Sequence, residues 1–169
     1  MESAGVLTDA FERVRGAVHL ACEGLTPEEL AFRPTPVANS IGWLVWHLAR
    51  VQDDHVADVA DMAQVWTSKG WCERLGLPLD PGDTGYGHRA DDVAKVRVAS
   101  SALLTGYYDE VHQRTIDYLG TLSAADLDRI VDTRWDPAVT LGVRLVSVVA
   151  DDLEHVGQAA YVRGLLKTS

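Results

Sequence analysis

An aspartate and a histidine stand four residues apart near the end of the chain, at Asp151 and His155. In an α-helix this spacing places both side chains on one face, one turn apart, with Cβ atoms about 6 Å from each other. A metal ion with ligand bonds of about 2.0–2.2 Å can bridge that gap, and helices commonly supply pairs of ligands at this spacing. The pair therefore predicts part of a metal site within a long helix.

A third ligand would have to come from another helix, and His47 is the best candidate. Helical periodicity leaves alternatives, because Asp152 lies nearer the middle of the apolar face than Asp151 does, and it could pair with His155 instead. On the second long helix, His47 flanks the apolar face and His55 lies within it. These two histidines are separated by about 12 Å along the helix axis, so they do not share one ion easily.

A structural polar cluster is the competing interpretation of these residues. A histidine near an apolar helix face is often a core residue that makes one hydrogen bond, and a neighbouring aspartate often only orients it. The metal interpretation is favoured by cost, because an ionised carboxylate at a helix interface is expensive unless it is paired or coordinated. A divalent ion would satisfy the carboxylate and both imidazoles together.

Four amphipathic segments with apolar residues at helical spacing are present to hold these residues. They cover roughly residues 3–23, 40–62, 91–119 (broken near its start) and 140–166. The expected N-caps are Ser3, Asn39 or Ser40, and Thr140. Thr26-Pro27-Glu28-Glu29 predicts a capping box on a short helix, residues 123–130 predict another helical turn, and no strand alternation is visible.

The connection from Val65 to Ala90 is rich in Gly, Pro and Trp, and connections this long are often functional. It is long enough to cross a bundle, so helices two and three could run parallel. We therefore predict one all-α domain over residues 1–169, a four-helix bundle with a long crossover between helices two and three.

Composition excludes several classes of protein. The chain has 169 residues, of which 47% are hydrophobic and 24% charged, with a formal net charge of −10. So negative a surface without a basic patch argues against nucleic-acid binding. No segment is apolar for long enough to span a membrane, and the start lacks a signal pattern, so we expect a cytoplasmic protein. Two cysteines, Cys22 and Cys72, do not make a disulfide framework.

Three further groups of residues receive weaker assignments. Arg144 precedes Asp151 by two turns on the same side and could hold a substrate carboxylate, although a solvated arginine is the simpler interpretation. Arg50 and Asp54 are expected to form an exposed i, i+4 pair. Cys72 lies in the long connection without a visible base beside it, so we expect an inert thiol.

Two motifs resemble the DinB-like metal-binding four-helix family. They are Gly42-Trp43-Leu44-Val45-Trp46-His47-Leu48 and Asp151-x-x-x-His155-x-Gly-Gln. The resemblance covers nearly the whole chain and is closest to the mycothiol S-transferases. It implies the metal ligands His47, Asp151 and His155, rather than His55 and Asp152. Asp151 departs from the pattern, since many members have His there and thiol-using members have Glu.

The resemblance further implies a cytoplasmic, metal-dependent transferase that joins mycothiol, a thiol co-substrate, to a small electrophile. Zinc is the expected metal, with nickel or another divalent ion as the alternative, and the metal site would leave one position open for the thiol. Trp66 and Trp71, in the long connection, are candidates for a lid or sugar platform, and a homodimer is a candidate assembly. The alternatives are a metal-dependent hydrolase or isomerase of the same fold, and a non-catalytic metal-stabilised binding protein.

Overall fold

The computed structural model describes residues 3–166, with side chains from residue 4 onward. In chain order the elements are α1 (Ser3–Cys22), α2 (Pro27–Leu30), α3 (Ile41–Ala60), α4 (Val65–Ser68), α5 (Trp71–Leu75), α6 (Ala90–Val93), α7 (Ser101–Leu119), a 3₁₀ turn (Ala124–Asp128), β1 (Ile130–Asp132), β2 (Val139–Thr140) and α8 (Leu141–Leu166). The protein is thus an all-α bundle of four long helices, as predicted, and it has one very small sheet.

The long helices form a ring in which α1 and α3 each pack against both α7 and α8. Helices α3 and α7 run parallel, because Asp53 near the middle of α3 contacts Tyr107, at 2.9 Å, while Val59 near its end contacts Tyr118, at 3.3 Å. The predicted crossover between helices two and three is therefore confirmed. Helix α8 runs antiparallel to α3, since His47 meets His155, whereas His55, later on α3, bonds to Arg144, which comes earlier on α8.

Helix starts follow the predicted capping signals. The capping box of α2 is complete, with Glu29 N donating to Thr26 Oγ1 at 3.2 Å and Thr26 N donating to Glu29 Oε2 at 2.8 Å. Ser40 caps α3 by accepting from the backbone N–H three residues later, at 3.1 Å. Thr140 does the same for α8 at 3.3 Å. The cap expected at Ser3 concerns a side chain outside the described residues.

The connections contain more secondary structure than the sequence pattern indicates. The long connection holds the short helices α4 and α5. The third helical segment is broken near its start, as expected, because α6 ends at Val93 and the continuous helix α7 starts at Ser101. The chain also contains a strand pair, β1 with β2, in which Ile130 lies opposite Thr140. These strands have three and two residues, which is too short for an alternating pattern to be visible in the sequence.

The buried side chains form two apolar clusters, one toward each end of the bundle. On α8, for example, Val148 belongs to one cluster and Val156 to the other. Between the clusters lies a buried polar layer, which consists of Gln52, His112, Thr115 and Asp152. Among the described residues, no helix is both long and apolar enough to cross a membrane.

Candidate metal centre

His47 lies on α3 with only 6% of its surface exposed. Its Nδ1 is 2.5 Å from the carbonyl oxygen of Thr84. Its ring stacks on Trp43 with a centroid separation of 4.6 Å and an interplanar angle of 11°. A carbonyl only accepts hydrogen bonds, so Nδ1 carries the proton, and Nε2 keeps its lone pair for another partner.

His155 is held in the same way by its own helix. Its Nδ1 donates to the backbone carbonyl of Asp151 at 2.8 Å, which again leaves Nε2 unprotonated. The two imidazoles meet edge to face, with centroids 4.6 Å apart. Asp151 Oδ2 lies 3.4 Å from His155 Nδ1 and has no hydrogen-bond partner within the described part of the chain, although it is buried.

One ligand atom from each of His47, Asp151 and His155 can be chosen so that all three lie within 4.8 Å of one another. Tetrahedral bonds of about 2.0–2.2 Å to a shared ion place ligand atoms roughly 3.5 Å apart, so these side chains would close by up to about 1 Å around an ion. Two neutral imidazoles and a carboxylate are ligands that suit zinc and related divalent ions. The residues therefore fit a metal, and the buried Oδ2 atom gives the carboxylate a reason to bind one.

The pKa values of these three side chains are shifted in different directions. Burial lowers the pKa of His47, and the hydrogen bond to Thr84 only partly opposes this. For Asp151, burial acts to raise the pKa, but the contact with His155 and the charges of the neighbouring histidines outweigh it and lower the pKa. For His155, burial acts to lower the pKa, but the close contact with the negatively charged Asp151 carboxylate and the hydrogen bond to the Asp151 backbone carbonyl outweigh it and raise the pKa.

The side chain of Asp152 does not belong to this group of three. It is fully buried in the polar layer, and neither of its carboxylate oxygens has a hydrogen-bond partner among the described residues. Burial, and then repulsion by Asp151, raise its pKa well above the usual value. His55 is also committed, because its Nδ1 accepts a hydrogen bond from Arg144 at 2.8 Å. Geometry thus brings together His47, Asp151 and His155, and leaves out the two alternatives.

A cavity of about 670 Å³ opens beside His47 and Asp151. Two aromatic side chains at its rim are strongly exposed, Tyr86 at 93% and Trp135 at 67%. Tyr86 was not predicted as part of the site. Its position between Gly85 and Gly87 could have indicated an exposed aromatic side chain, because residues in such turns are rarely buried.

Arg144 lines the same cavity but is already engaged. It donates to Asp132 Oδ2 at 2.9 Å as well as to His55. Arg134 also binds Asp132, and the two guanidinium groups, Arg134 foremost, hold the pKa of that carboxyl far below its usual range. A role for Arg144 in holding a substrate carboxylate stays a prediction, and it would compete with this ion pair.

The structure contradicts the assignment of Trp66 and Trp71 to a cofactor platform. Both indoles are 3% exposed and belong to the apolar core. Trp66 Nε1 donates to the carbonyl of Pro81 at 3.0 Å, and both rings contact Tyr107. The error arose because the crossover packs its aromatic residues inward, against α7.

The expected exposed pair of Arg50 and Asp54 is also wrong. Arg50 is 0% exposed and donates to the carbonyl of Asp83 at 3.1 Å and to Gln64 at 2.9 Å. Asp54 instead accepts a hydrogen bond from Gln64. Arg50 is buried because the crossover folds back over α3 and supplies these acceptors. Such a contact between distant segments cannot be predicted from local sequence patterns.

The four-helix bundle, with the group of His47, Asp151 and His155 between α3 and α8, places the protein in the DinB-like class. The family model described as Mycothiol-S-transferase matches residues 6–168, and the chain belongs to that family. A crystal structure of a conserved protein from Enterococcus faecalis is similar, with a TM-score of 0.93 and 30% sequence identity over 100% of this chain and 99% of the other. A search of curated proteins finds no match.

Proposed function

We propose that the protein is a divalent-metal-dependent thiol S-transferase that conjugates mycothiol to small electrophiles. The family supports the transferase class and the thiol. The observation that carries the metal is that His47 and His155 both donate Nδ1–H to backbone carbonyls, so that each keeps Nε2 for an ion.

The proposed ligands are His47, Asp151 and His155, with zinc as the first candidate and nickel or another divalent ion as the alternative. A divalent ion lowers the pKa of a thiol that it coordinates, and so supplies a thiolate at neutral pH. A free thiol has a pKa of about 8.5, so only a few per cent is ionised at pH 7. Ionisation alone therefore gains at most tens-fold, and positioning by the cavity must contribute more.

The cavity has the size for this task. Its volume of about 670 Å³ falls within the range usual for small-molecule sites. Tyr86 and Trp135 offer apolar faces against which a sugar ring or an apolar electrophile can pack, and they take the place first given to Trp66 and Trp71. Arg134 places an exposed guanidinium group beside them for polar groups of the thiol or the electrophile.

Elemental analysis of the purified protein, together with a thiol-consumption assay on a generic electrophile, tests the proposal. Mycothiol should be consumed in the presence of metal, and chelator should abolish the reaction. His155→Ala should abolish both bound metal and turnover, while His19→Ala, on the far helix α1, should change neither.

Each other outcome points to a different function. Turnover of a substrate with metal but without thiol would identify a hydrolase or isomerase. Metal that raises the melting temperature without any turnover would identify a binding protein. Full activity in metal-free protein would refute the proposal.

The remaining parts of the proposal concern the assembly and location of the chain. We propose that residues 1–169 form one domain, which is supported by the family match over residues 6–168. We also propose a cytoplasmic location, which is compatible with membership of a small-molecule transferase family. A homodimer stays a prediction, and sedimentation equilibrium of the purified chain tests it directly.

A further inference from the structure

The segment Asp83-Thr84-Gly85-Tyr86-Gly87-His88, which we call the His47 loop, lies directly against the imidazole of His47. At Gly85 the backbone has φ of +88°, a conformation that favours glycine. A Cβ atom added at Gly85 would lie 2.8 Å from His47 Nδ1 and 3.0 Å from the Trp46 ring. The loop therefore touches the ring through bare backbone, and this close approach brings the Thr84 carbonyl to Nδ1.

A chain of hydrogen bonds holds this loop in its shape. Asp83 Oδ1 accepts from the Gly85 N–H at 2.8 Å, and Asp83 Oδ2 pairs with His88 Nε2 at 2.8 Å. His88 Nδ1 lies 3.0 Å from Trp43 Nε1. The indole N–H can only donate, so Nδ1 of His88 must accept, and Nε2 must carry the proton that it donates to Asp83.

The same chain is anchored at both ends in the core. Buried Arg50 donates its Nε–H to the Asp83 carbonyl at 3.1 Å. Trp43, which donates to His88, also stacks on His47. Both ring nitrogens of His88 are thus hydrogen-bonded, one to Trp43 and one to Asp83. His88 is therefore not available as a fourth metal ligand.

We infer that Asp83 and His88 are positioning residues for the proposed metal ligand His47. They hold the Thr84 carbonyl against Nδ1, which fixes the tautomer of His47 and directs Nε2 to the ion. Partners of this kind, one step removed from a metal, orient the ligand and raise its basicity. The inference rests on the proposed function for its purpose, but its geometry can be tested without metal.

The first test measures metal affinity. His88→Ala removes the donor to Asp83 and the acceptor of Trp43, and we expect the Zn²⁺ dissociation constant to rise about 10-fold to 100-fold in competition with a chromophoric chelator. His19→Ala is the matched control, because His19 also pairs with an aspartate, Asp109, at 2.8 Å. That variant should bind Zn²⁺ within about two-fold of the wild type.

The second test reads the tautomer of His47 in metal-free protein by two-bond ¹⁵N–¹H correlation spectra. Wild type should show a proton on Nδ1 alone, and His88→Ala should show a mixture of both tautomers. Asp83→Asn is a nearly isosteric second variant. Its amide keeps one acceptor for Gly85 but turns a donor toward the protonated Nε2 of His88, so it should disturb His47 in the same way.

The two readouts separate the inference from the proposed function. An unchanged tautomer in a folded Asp83→Asn or His88→Ala protein, or an unchanged Zn²⁺ affinity in both, would overturn the inference. Absence of thiol turnover in the wild type would instead count against the proposed function, and the tautomer would still decide whether the loop positions His47. Melting temperatures and far-ultraviolet circular dichroism establish that each variant is folded.

Discussion

Asp151 and Asp152 are consecutive residues on α8, yet the fold gives them opposite properties. Asp151 is half-buried among histidines, which lower its pKa. Asp152 is fully buried, neither of its carboxylate oxygens has a hydrogen-bond partner within residues 4–166, and its pKa is raised. One step along an α-helix turns the side chain by about 100°, and here that rotation separates the candidate metal centre from the polar layer inside the bundle.

The difference shows what makes a buried carboxylate useful. A carboxylate beside imidazoles stays ionised and can bind a cation. A fully buried carboxyl without a hydrogen-bond partner or a nearby cation favours the protonated form instead, and its unsatisfied oxygens cost stability. Metal affinity, its pH dependence and the stability of variants at the two positions can each break or sharpen this contrast.

The largest expected effect is on metal affinity. Asp151→Asn removes the charge of a proposed ligand and should weaken Zn²⁺ binding by at least about 100-fold, because removal of even a supporting partner commonly costs 10-fold to 100-fold. Asp152→Asn, the neighbouring control, should change the affinity by less than about three-fold. Competition with a chromophoric chelator measures both, and similar losses in the two variants would remove the distinction.

Acid should weaken metal binding in two stages. His155 has a raised pKa, so below that value the ion must displace a proton from its ring, and affinity should fall by up to about ten-fold per pH unit. His47 has a lowered pKa and should add a second proton only at lower pH. Titrations of Zn²⁺ affinity between about pH 5 and pH 8 around the ordinary histidine pKa test this order. A single steep step with two protons released together would contradict it.

Asp152 should limit stability at higher pH. Its folded pKa is raised, so the folded state retains a proton that the unfolded chain releases above about pH 4. Stability of metal-free protein should therefore fall as pH rises from there toward the folded pKa. Asp152→Asn should flatten that slope. Asp152→Leu should raise the free energy of unfolding at pH 8 by about 1–3 kcal/mol, because it removes the unpartnered oxygens.

Urea denaturation at several pH values in the presence of chelator measures these changes. Asp151→Asn should keep a slope of this sign, because burial, the larger cause of the raised pKa of Asp152, remains in that variant. Unchanged pH dependence in Asp152→Asn would show that Asp152 is not the group responsible.

The smallest expected effect concerns neither carboxylate. Trp135→Ala removes an exposed aromatic face from the cavity rim and should raise KM for a substrate about 3-fold to 10-fold, as expected for one aromatic contact. Metal affinity should remain that of the wild type. Steady-state kinetics with mycothiol and a generic electrophile give the value, and a loss confined to kcat would argue against a binding role at the rim.

Much of the fold could be predicted because its signals are local. Capping at Thr26, Ser40 and Thr140, together with apolar residues at helical spacing, locates three of the four long helices within a few residues. The pair of Asp151 and His155 also follows from spacing on a single helix. The roles of these residues as ligands remain a prediction.

What could not be predicted depends on contacts between distant segments. Arg50 is buried because Asp83, more than thirty residues later, returns to accept its hydrogen bond. Periodicity placed Asp152 on the apolar face correctly, but could not tell whether that face held a metal or only a protonated carboxyl. The exposed positions of Tyr86 and Trp135 likewise depend on the path of loops, which helical patterns do not describe.

The parallel course of α3 and α7 has a consequence for how this protein can change over time. If α3 and α7 were antiparallel, a loop of a few residues could connect them. Because they are parallel, the connecting segment must extend along the whole length of the bundle. This crossover supplies both the Thr84 carbonyl that contacts His47 and the Asp83 carbonyl that accepts a hydrogen bond from Arg50. Substitutions at its exposed positions, such as Tyr86, can change the surroundings of His47 without altering any residue of the four long helices or of the core.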